Sequence, residues 1–196
     1  MPVRFKHDQQ PNSIYFLSFT CYQWLSLFEE VKAYDTVFKW FDSLSARQTY
    51  ITAYVIMPNH LHAMLYFPKM PKSLNTVVGN AKRFMAYEIV KRLTEKKAVD
   101  ILSVLQSGVS EKERMKGQVH KVFESSFDAK ECYSMKFIDQ KIEYMHNNPV
   151  AGKWQLVKDF TEYEHSSASY YERGMKRYEK LLNVYDVIDG RLPEVF

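Results

Sequence analysis

The chain of 196 residues has only two cysteines, Cys21 and Cys132, and no CxxC pair. That excludes a zinc knuckle built from paired cysteines, and reduced, buried thiols are the expected state. No apolar run approaches the roughly 18 residues that cross a bilayer. Residues 1–11 are polar and lack the apolar stretch of a secretory signal. A soluble intracellular protein with no membrane partner is therefore expected. A strong excess of one charge is also missing, since 27 Lys+Arg face 23 Asp+Glu for a net charge of +4. Such a balance permits a nucleic-acid partner without demanding one. Aromatic residues, by contrast, are plentiful at 15%, a surplus that suits core packing and base stacking equally. The length fits one domain with elaborations and is enough to bury a core without staples.

The most informative stretch is residues 53–67, AYVIMPNHLHAMLYF. It reads as two apolar strands, 50–57 and 60–67, joined by a tight turn at Pro58-Asn59 and so paired as a hairpin. Residues two apart share a strand face, which sets His60 and His62 side by side, with Leu61 and Ala63 opposite. Two imidazoles on one rigid strand make half of a metal site.

Elsewhere, residues 13–24 alternate and are rich in Phe, Tyr and Thr, the pattern of a strand. Val31, Tyr34, Val37, Phe38, Phe41 and Leu44 recur at helical spacing over 28–48. Ser73 is placed to cap a second helix running to about residue 93. Its Lys82, Arg83, Lys91 and Arg92 could be a solvated face or phosphate contacts. Residues 94–116 are charged and poorly periodic, as in an insertion or long loop, with an apolar patch at 101–105 that could form a short helix. The spacing predicts a fourth strand over 117–127, a polar turn at 128–131 and a helix over 134–148. The order strand, helix, strand, strand, helix, strand is the split βαβ plan of an α+β, ferredoxin-like fold. It gives a four-stranded antiparallel sheet with two helices on one face and an open face bearing His60, His62, Met64 and Tyr66. The 134–148 helix could cover that open face. One domain over 1–171 and a tail over 172–196, helical near 175–183, are expected.

On the 134–148 helix, Tyr144 and Asn148 are four apart and share a face, with Lys141 nearby. A tyrosine oxygen can attack a phosphodiester and hold the product covalently, splitting one transfer into two. A divalent ion would compensate the phosphate charge. His60 and His62, with the amide oxygen of Asn148, offer an incomplete shell of the kind Mg²⁺ or Mn²⁺ accepts.

His60-Leu61-His62 resembles the histidine-hydrophobic-histidine motif of single-strand-specific nucleases. The longer string Met57-Pro58-Asn59-His60-Leu61-His62 is similar to that of single-tyrosine HUH transposases of insertion sequences. Tyr144-Met145-His146-Asn147-Asn148-Pro149-Val150 and Tyr163-Glu164-His165-Ser166-Ser167-Ala168-Ser169-Tyr170 resemble the REP-associated tyrosine transposase branch. The resemblance implies His60 and His62 as metal ligands and Tyr144 as a nucleophile that forms a 5′-phosphotyrosine and frees a 3′-OH. It implies Asn148 as third ligand, where insertion-sequence relatives usually carry glutamine. The implied substrate is single-stranded DNA bearing imperfect hairpins, handled in the prokaryotic cytosol at the nucleoid by a monomer or a homodimer. DNA contacts would come from Lys82, Arg83, Lys141, Lys153 and Trp154. His146 reads as structural and His165 as a surface residue. Two rival readings are a non-catalytic nucleic-acid-binding module of the same fold and a metallonuclease that uses activated water.

Overall fold

The structure is a computed structural model that describes residues 11–69 and 73–191. The polar N-terminal stretch 1–10 and the end of the tail, 192–196, lie outside the described residues. Strands β1 (Ser13–Thr20), β2 (Tyr50–Met57), β3 (His60–Phe67) and β4 (Asp128–Glu131) form one antiparallel sheet in the order β2-β3-β1-β4. This is the order expected for the split βαβ plan. Strand β3 is buried along its whole length. Helices α1 (Leu27–Glu30) and α2 (Tyr34–Ser45) precede β2. After β3 come α3 (Leu74–Glu95), α4 (Val99–Ser107) and α5 (Glu111–Arg114). The chain ends with α6 (Met135–Asn147), α7 (Ala168–Arg173) and α8 (Val184–Ile188).

Strand alternation divides the interior into two cores. Leu61, Ala63, Leu65 and Phe67 face one way and pack with Val37, Phe41, Met85 and Ile89 of α2 and α3. Phe16, Val55, Met57 and Met64 face the other way and pack with Ile138, Ile142 and Met145 of α6. Burying each of those α6 side chains stabilises by roughly 1.5–3 kcal/mol. Ser134 starts this helix, its hydroxyl accepting from the Phe137 amide at 3.3 Å. Ser73 caps α3 in the same way at 3.1 Å. Both thiols are buried and free, and burial pushes Cys21 up to about 12.

Several sequence expectations are corrected. The fourth strand is not 117–127 but the charged segment Asp128–Glu131, which had read as a turn. The earlier segment forms no ladder with the sheet; it meets the end of β1 at a single bridge, Cys21 to Phe123, and through packing of Phe123 on Phe19. Its carbonyls find another donor: the Lys82 ammonium takes Glu124 O at 2.9 Å and Ser126 O at 2.7 Å. Lys82 is thereby committed to structure, and burial pushes its amine down to about 8. The helix expected over 28–48 is broken between α1 and α2, where Lys32 takes a positive φ of 48°. Ahead of the break, the Phe28 amide, unpaired in the first turn of α1, donates to Pro58 O at 3.0 Å and holds the β2–β3 turn.

The apolar patch at 101–105 does lie on a helix, α4, but the rest of 94–116 is also ordered, as the end of α3 and α5, instead of a long loop; Leu105 is buried in the larger core, and Ser110 and Glu113 form a capping box. The tail has its helix at Val184–Ile188, not at 175–183. Tyr178 and Leu181 join one core while Leu182 joins the other. A segment crossing the sheet edge in this way cannot present a single helical face.

That crossing seals the outer edge of β2, an edge that would otherwise offer free backbone groups. Leu182 N donates to Ile51 O (3.0 Å), the Tyr171 hydroxyl to Thr52 O (2.6 Å) and Ser167 N to Tyr54 O (2.9 Å). His165 O accepts from Ile56 N (2.8 Å), and the Tyr163 hydroxyl donates to Ile56 O (2.9 Å). The Tyr-Glu-His-Ser-Ser motif thus has a structural task. His165 is accordingly half-buried, stacked on Tyr34 at 3.6 Å, and not a surface residue.

Arg92 is likewise structural. Its guanidinium meets Asp35 with two 2.8 Å hydrogen bonds, Glu88 at 2.9 Å and the Lys32 carbonyl at 2.8 Å. The Arg92 guanidinium holds the Asp35 carboxyl down at about 2. Bidentate pairing is stronger than an ordinary surface ion pair, but Asp35 remains 44% exposed and solvent screens the attraction. Arg92→Ala is expected to lower stability by about 1–2 kcal/mol, read as a shift in urea midpoint with unchanged slope.

Candidate active site

Register builds the site. His60 lies opposite Thr20 and Met57, and His62 lies opposite Ser18 and Val55. These side chains therefore share the face that α6 covers. The two imidazoles are adjacent, ring centroids 4.7 Å apart, and each residue is only 6% exposed. Phe16, two residues along from Ser18, stacks on His62 at 5.4 Å. From α6, the Tyr144 ring meets His62 edge-on at 5.2 Å while Tyr144 itself stays 52% exposed. Two sequence-derived elements 80 residues apart are thus brought together. Tyr144 and Asn148 also line one open groove, with Gln140, Glu143, Asn147 and Ala151.

Burial pushes His60 down to about 4 and His62 to about 3, so both are neutral at neutral pH. For His62 the neighbouring His60 and Lys141 act in the same direction. For His60 a side-chain hydrogen bond with Asn148 partly opposes the shift. The state of His60 is fixed by its neighbour Asn59. The Asn59 Nδ2 group donates to the Trp24 carbonyl at 3.0 Å, which can only accept. The Asn59 Oδ1 atom must then face His60 Nδ1, 2.6 Å away. Nδ1 therefore carries the proton, and Nε2 keeps a lone pair.

His62 has no such partner. Both of its ring nitrogens are buried and unbonded. A buried polar atom without a partner costs roughly 1–3 kcal/mol, so this pair of nitrogens calls for an occupant. Among the described residues no three His, Cys, Asp or Glu side chains gather into a cluster. A cation here would instead meet two neutral imidazoles and an amide oxygen. The donor set fits: lone pairs are available on His60 and His62, and Asn148 is near enough to His60 to influence its protonation.

The remaining candidates divide. Lys141 lies among three rings, its Nζ 4.9 Å from the centroid of Phe16, 5.2 Å from Phe137 and 5.5 Å from Tyr144, beside the tyrosine hydroxyl's helix face. Trp154 lies 6.2 Å from His60, with the Lys153 ammonium 5.4 Å from its ring. Arg83 is remote, on α3, over the Phe84 ring. Sequence reasoning missed Asn59, Phe16 and Trp24. The signal for Asn59 was its place at the hairpin turn, and for Phe16 its alternation with Ile14 and Ser18.

His146 is buried and points away from Tyr144, as expected of a structural residue. Its Nε2 lies 2.9 Å from Ser167 Oγ, the hydroxyl that also accepts from Tyr54 N. This contact ties α6 to the sealed edge of β2. Burial pushes His146 down to about 4 from an ordinary 6.5. An unfolded chain protonates first as pH falls below 6.5, so stability drops through the window from 6.5 to about 4. The slope for one such histidine is about 1.4 kcal/mol per pH unit. His146→Gln is expected to flatten the stability–pH curve by that amount in this window and not above it, as read from urea unfolding at stepped pH.

No protein-family model matches the chain, and no curated protein matches it. Among solved structures the chain is similar to a REP-associated tyrosine transposase bound to a REP hairpin, with a TM-score of 0.60 and 14% identity. The match covers 90% of each chain. At that identity the likeness concerns architecture. The chain shares its overall fold with that transposase.

Proposed function

We propose that the protein is a transposase-like endonuclease and strand transferase that cleaves single-stranded DNA beside hairpins through a covalent phosphotyrosine. One observation carries this reading: the unpartnered nitrogens of buried His62 lie next to the half-exposed ring of Tyr144. A merely structural histidine would have its nitrogens bonded, and a packing tyrosine would not sit half in solvent beside them. The shared fold with a hairpin-bound transposase agrees with it.

Under this reading His60, His62 and Asn148 would hold a divalent ion, Mg²⁺ or Mn²⁺, which would supply charge compensation at the phosphate. Asn59 holds His60 in the tautomer that leaves Nε2 free. The Tyr144 hydroxyl, open to water, loses its proton to solvent, and its oxygen attacks phosphorus. A Tyr–O–P bond forms and the P–O3′ bond breaks. The departing 3′ oxygen takes a proton, and the 5′ phosphate stays on Tyr144. Attack by another 3′-OH reverses these bonds and joins strands. Lys141 contributes positive charge next to the tyrosine.

The test is incubation of the protein with a single-stranded oligonucleotide carrying a hairpin and a labelled flank, with Mn²⁺ or with a chelator. A denaturant-resistant protein–DNA adduct that needs the metal is expected. Cleavage leaving both fragments free, with no adduct at any time, would replace this reading with hydrolysis by activated water.

A further inference from the structure

The short turn Tyr22–Trp24 between β1 and α1 is strained. Gln23 and Trp24 both take positive φ, 51° and 59°, although neither is glycine. Such conformations cost about 1–2 kcal/mol each and persist only where the surroundings impose them. The surroundings here are specific. Glu124 accepts from the Gln23 amide at 2.9 Å, and Asn59 donates to the Trp24 carbonyl at 3.0 Å. The same Asn59 orients His60. The result of this strain is an indole left 61% exposed, its ring 5.9 Å from His60. Trp154 flanks His60 from another direction at 6.2 Å.

A groove of about 430 Å³ opens at Trp24, within the size range of small-ligand sites. Ser18 and Thr20 line it, and these residues are the cross-strand partners of His62 and His60. The groove thus lies one strand over from the histidine pair, and Trp24, which lines it, is the side chain that reaches His60. Glu124 and Asp128 also line it. Two carboxylates make the groove a poor home for a phosphate. Hydroxyls and carboxylates beside a flat apolar ring instead suit a neutral, planar group that carries an N–H donor.

We propose that Trp24 is a stacking platform for one unpaired nucleobase of a single strand, seated in the groove beside the His60–His62 pair. The inference rests on the reading of the protein as a single-strand DNA enzyme, and it assigns the subsite that grips a base next to the cleaved phosphate. Base–aromatic stacking tolerates any base, so Trp24 supplies grip, and the polar wall supplies preference among bases.

The experiment measures binding by fluorescence anisotropy, with chelator present so that no cleavage occurs. Two 20-unit strands are compared, oligothymidylate and a strand of abasic sugar-phosphate units of equal charge. Wild type is expected to prefer the base-bearing strand, and Trp24→Ala to weaken that binding by roughly tenfold while leaving abasic binding unchanged. Trp24→Phe, which keeps a stacking ring, is expected to stay within about threefold of wild type. Equal affinity of wild type and Trp24→Ala for oligothymidylate would overturn the proposal, as would equal affinity of wild type for the two strands. The parent reading is judged on a separate signal, the covalent adduct formed by wild type with Mn²⁺. Base-dependent binding through Trp24 without any adduct would retain the subsite and remove the catalytic reading. An adduct without Trp24-dependent binding would do the reverse.

Discussion

His62→Leu is expected to make the metal-free protein more stable while abolishing metal binding and cleavage. Both ring nitrogens of His62 are buried without a partner. Leucine is close in volume and removes both unsatisfied atoms, so a gain of about 1–2 kcal/mol in chelator is expected. Most core substitutions go the other way, by about 1 kcal/mol. The second half of the prediction concerns the ion. Wild type should gain stability when Mn²⁺ is added, by about 2.7 kcal/mol at 100 times the dissociation constant. His62→Leu should gain little, with affinity reduced by at least about 100-fold. Urea unfolding with and without Mn²⁺ reads both halves. A stabilised variant that no longer responds to metal is the mark of a residue kept for function at the expense of stability. A variant that loses stability in chelator would show His62 to be an ordinary core histidine.

Tyr144→Phe is expected to remove cleavage and strand transfer by a factor on the order of 10³ or more, in line with loss of a covalent nucleophile. Stability should stay within about 0.5 kcal/mol of wild type, because the residue is half exposed and its ring contacts with His62 and Phe16 survive. Binding to single strands should also survive, since the hydroxyl is not what holds the substrate. The measurement is a single-turnover cleavage time course beside an anisotropy titration. Parallel loss of binding and cleavage would point to a structural role. Cleavage retained within tenfold would mean that another group attacks the phosphate.

Much of this site was legible in the sequence because it depends on short-range periodicity. Strand alternation put His60 beside His62, and helical spacing put Tyr144 one turn from Asn148; no long-range information was needed for either. What brings the two pairs together is the apolar row Ile138, Ile142 and Met145, which could also be read as a face looking for a sheet. The misread segments fail for tertiary reasons. Asp128–Glu131 has no apolar pattern, because an edge strand draws its pairing from the backbone of β1. Residues 117–127 alternate well, but Lys82 takes the carbonyls that a ladder would have used. Residues 175–183 have helical spacing, yet their apolar side chains are split between two cores. Lys82 and Arg92 leave a solvated face and phosphate contacts equally open in the sequence because a cation on a helix has no partner visible there; Glu124, Ser126 and Asp35 appear as partners only in the fold. Trp24 and Asn59 were missed for a similar reason, as their coupling to His60 runs through a strained turn 35 residues upstream of Asn59.

Peptide mapping of the wild-type adduct by mass spectrometry bears most directly on the proposed chemistry. The protein would be incubated with Mn²⁺ and a hairpin oligonucleotide, digested with nuclease and protease, and searched for tyrosines carrying a 5′-phosphonucleotide. The predicted result is a single modified peptide with the nucleotide on Tyr144, formed only when metal is present. The same mass on a different tyrosine, such as exposed Tyr133, or cleaved DNA with every tyrosine unmodified, would contradict the assignment of Tyr144 as the nucleophile.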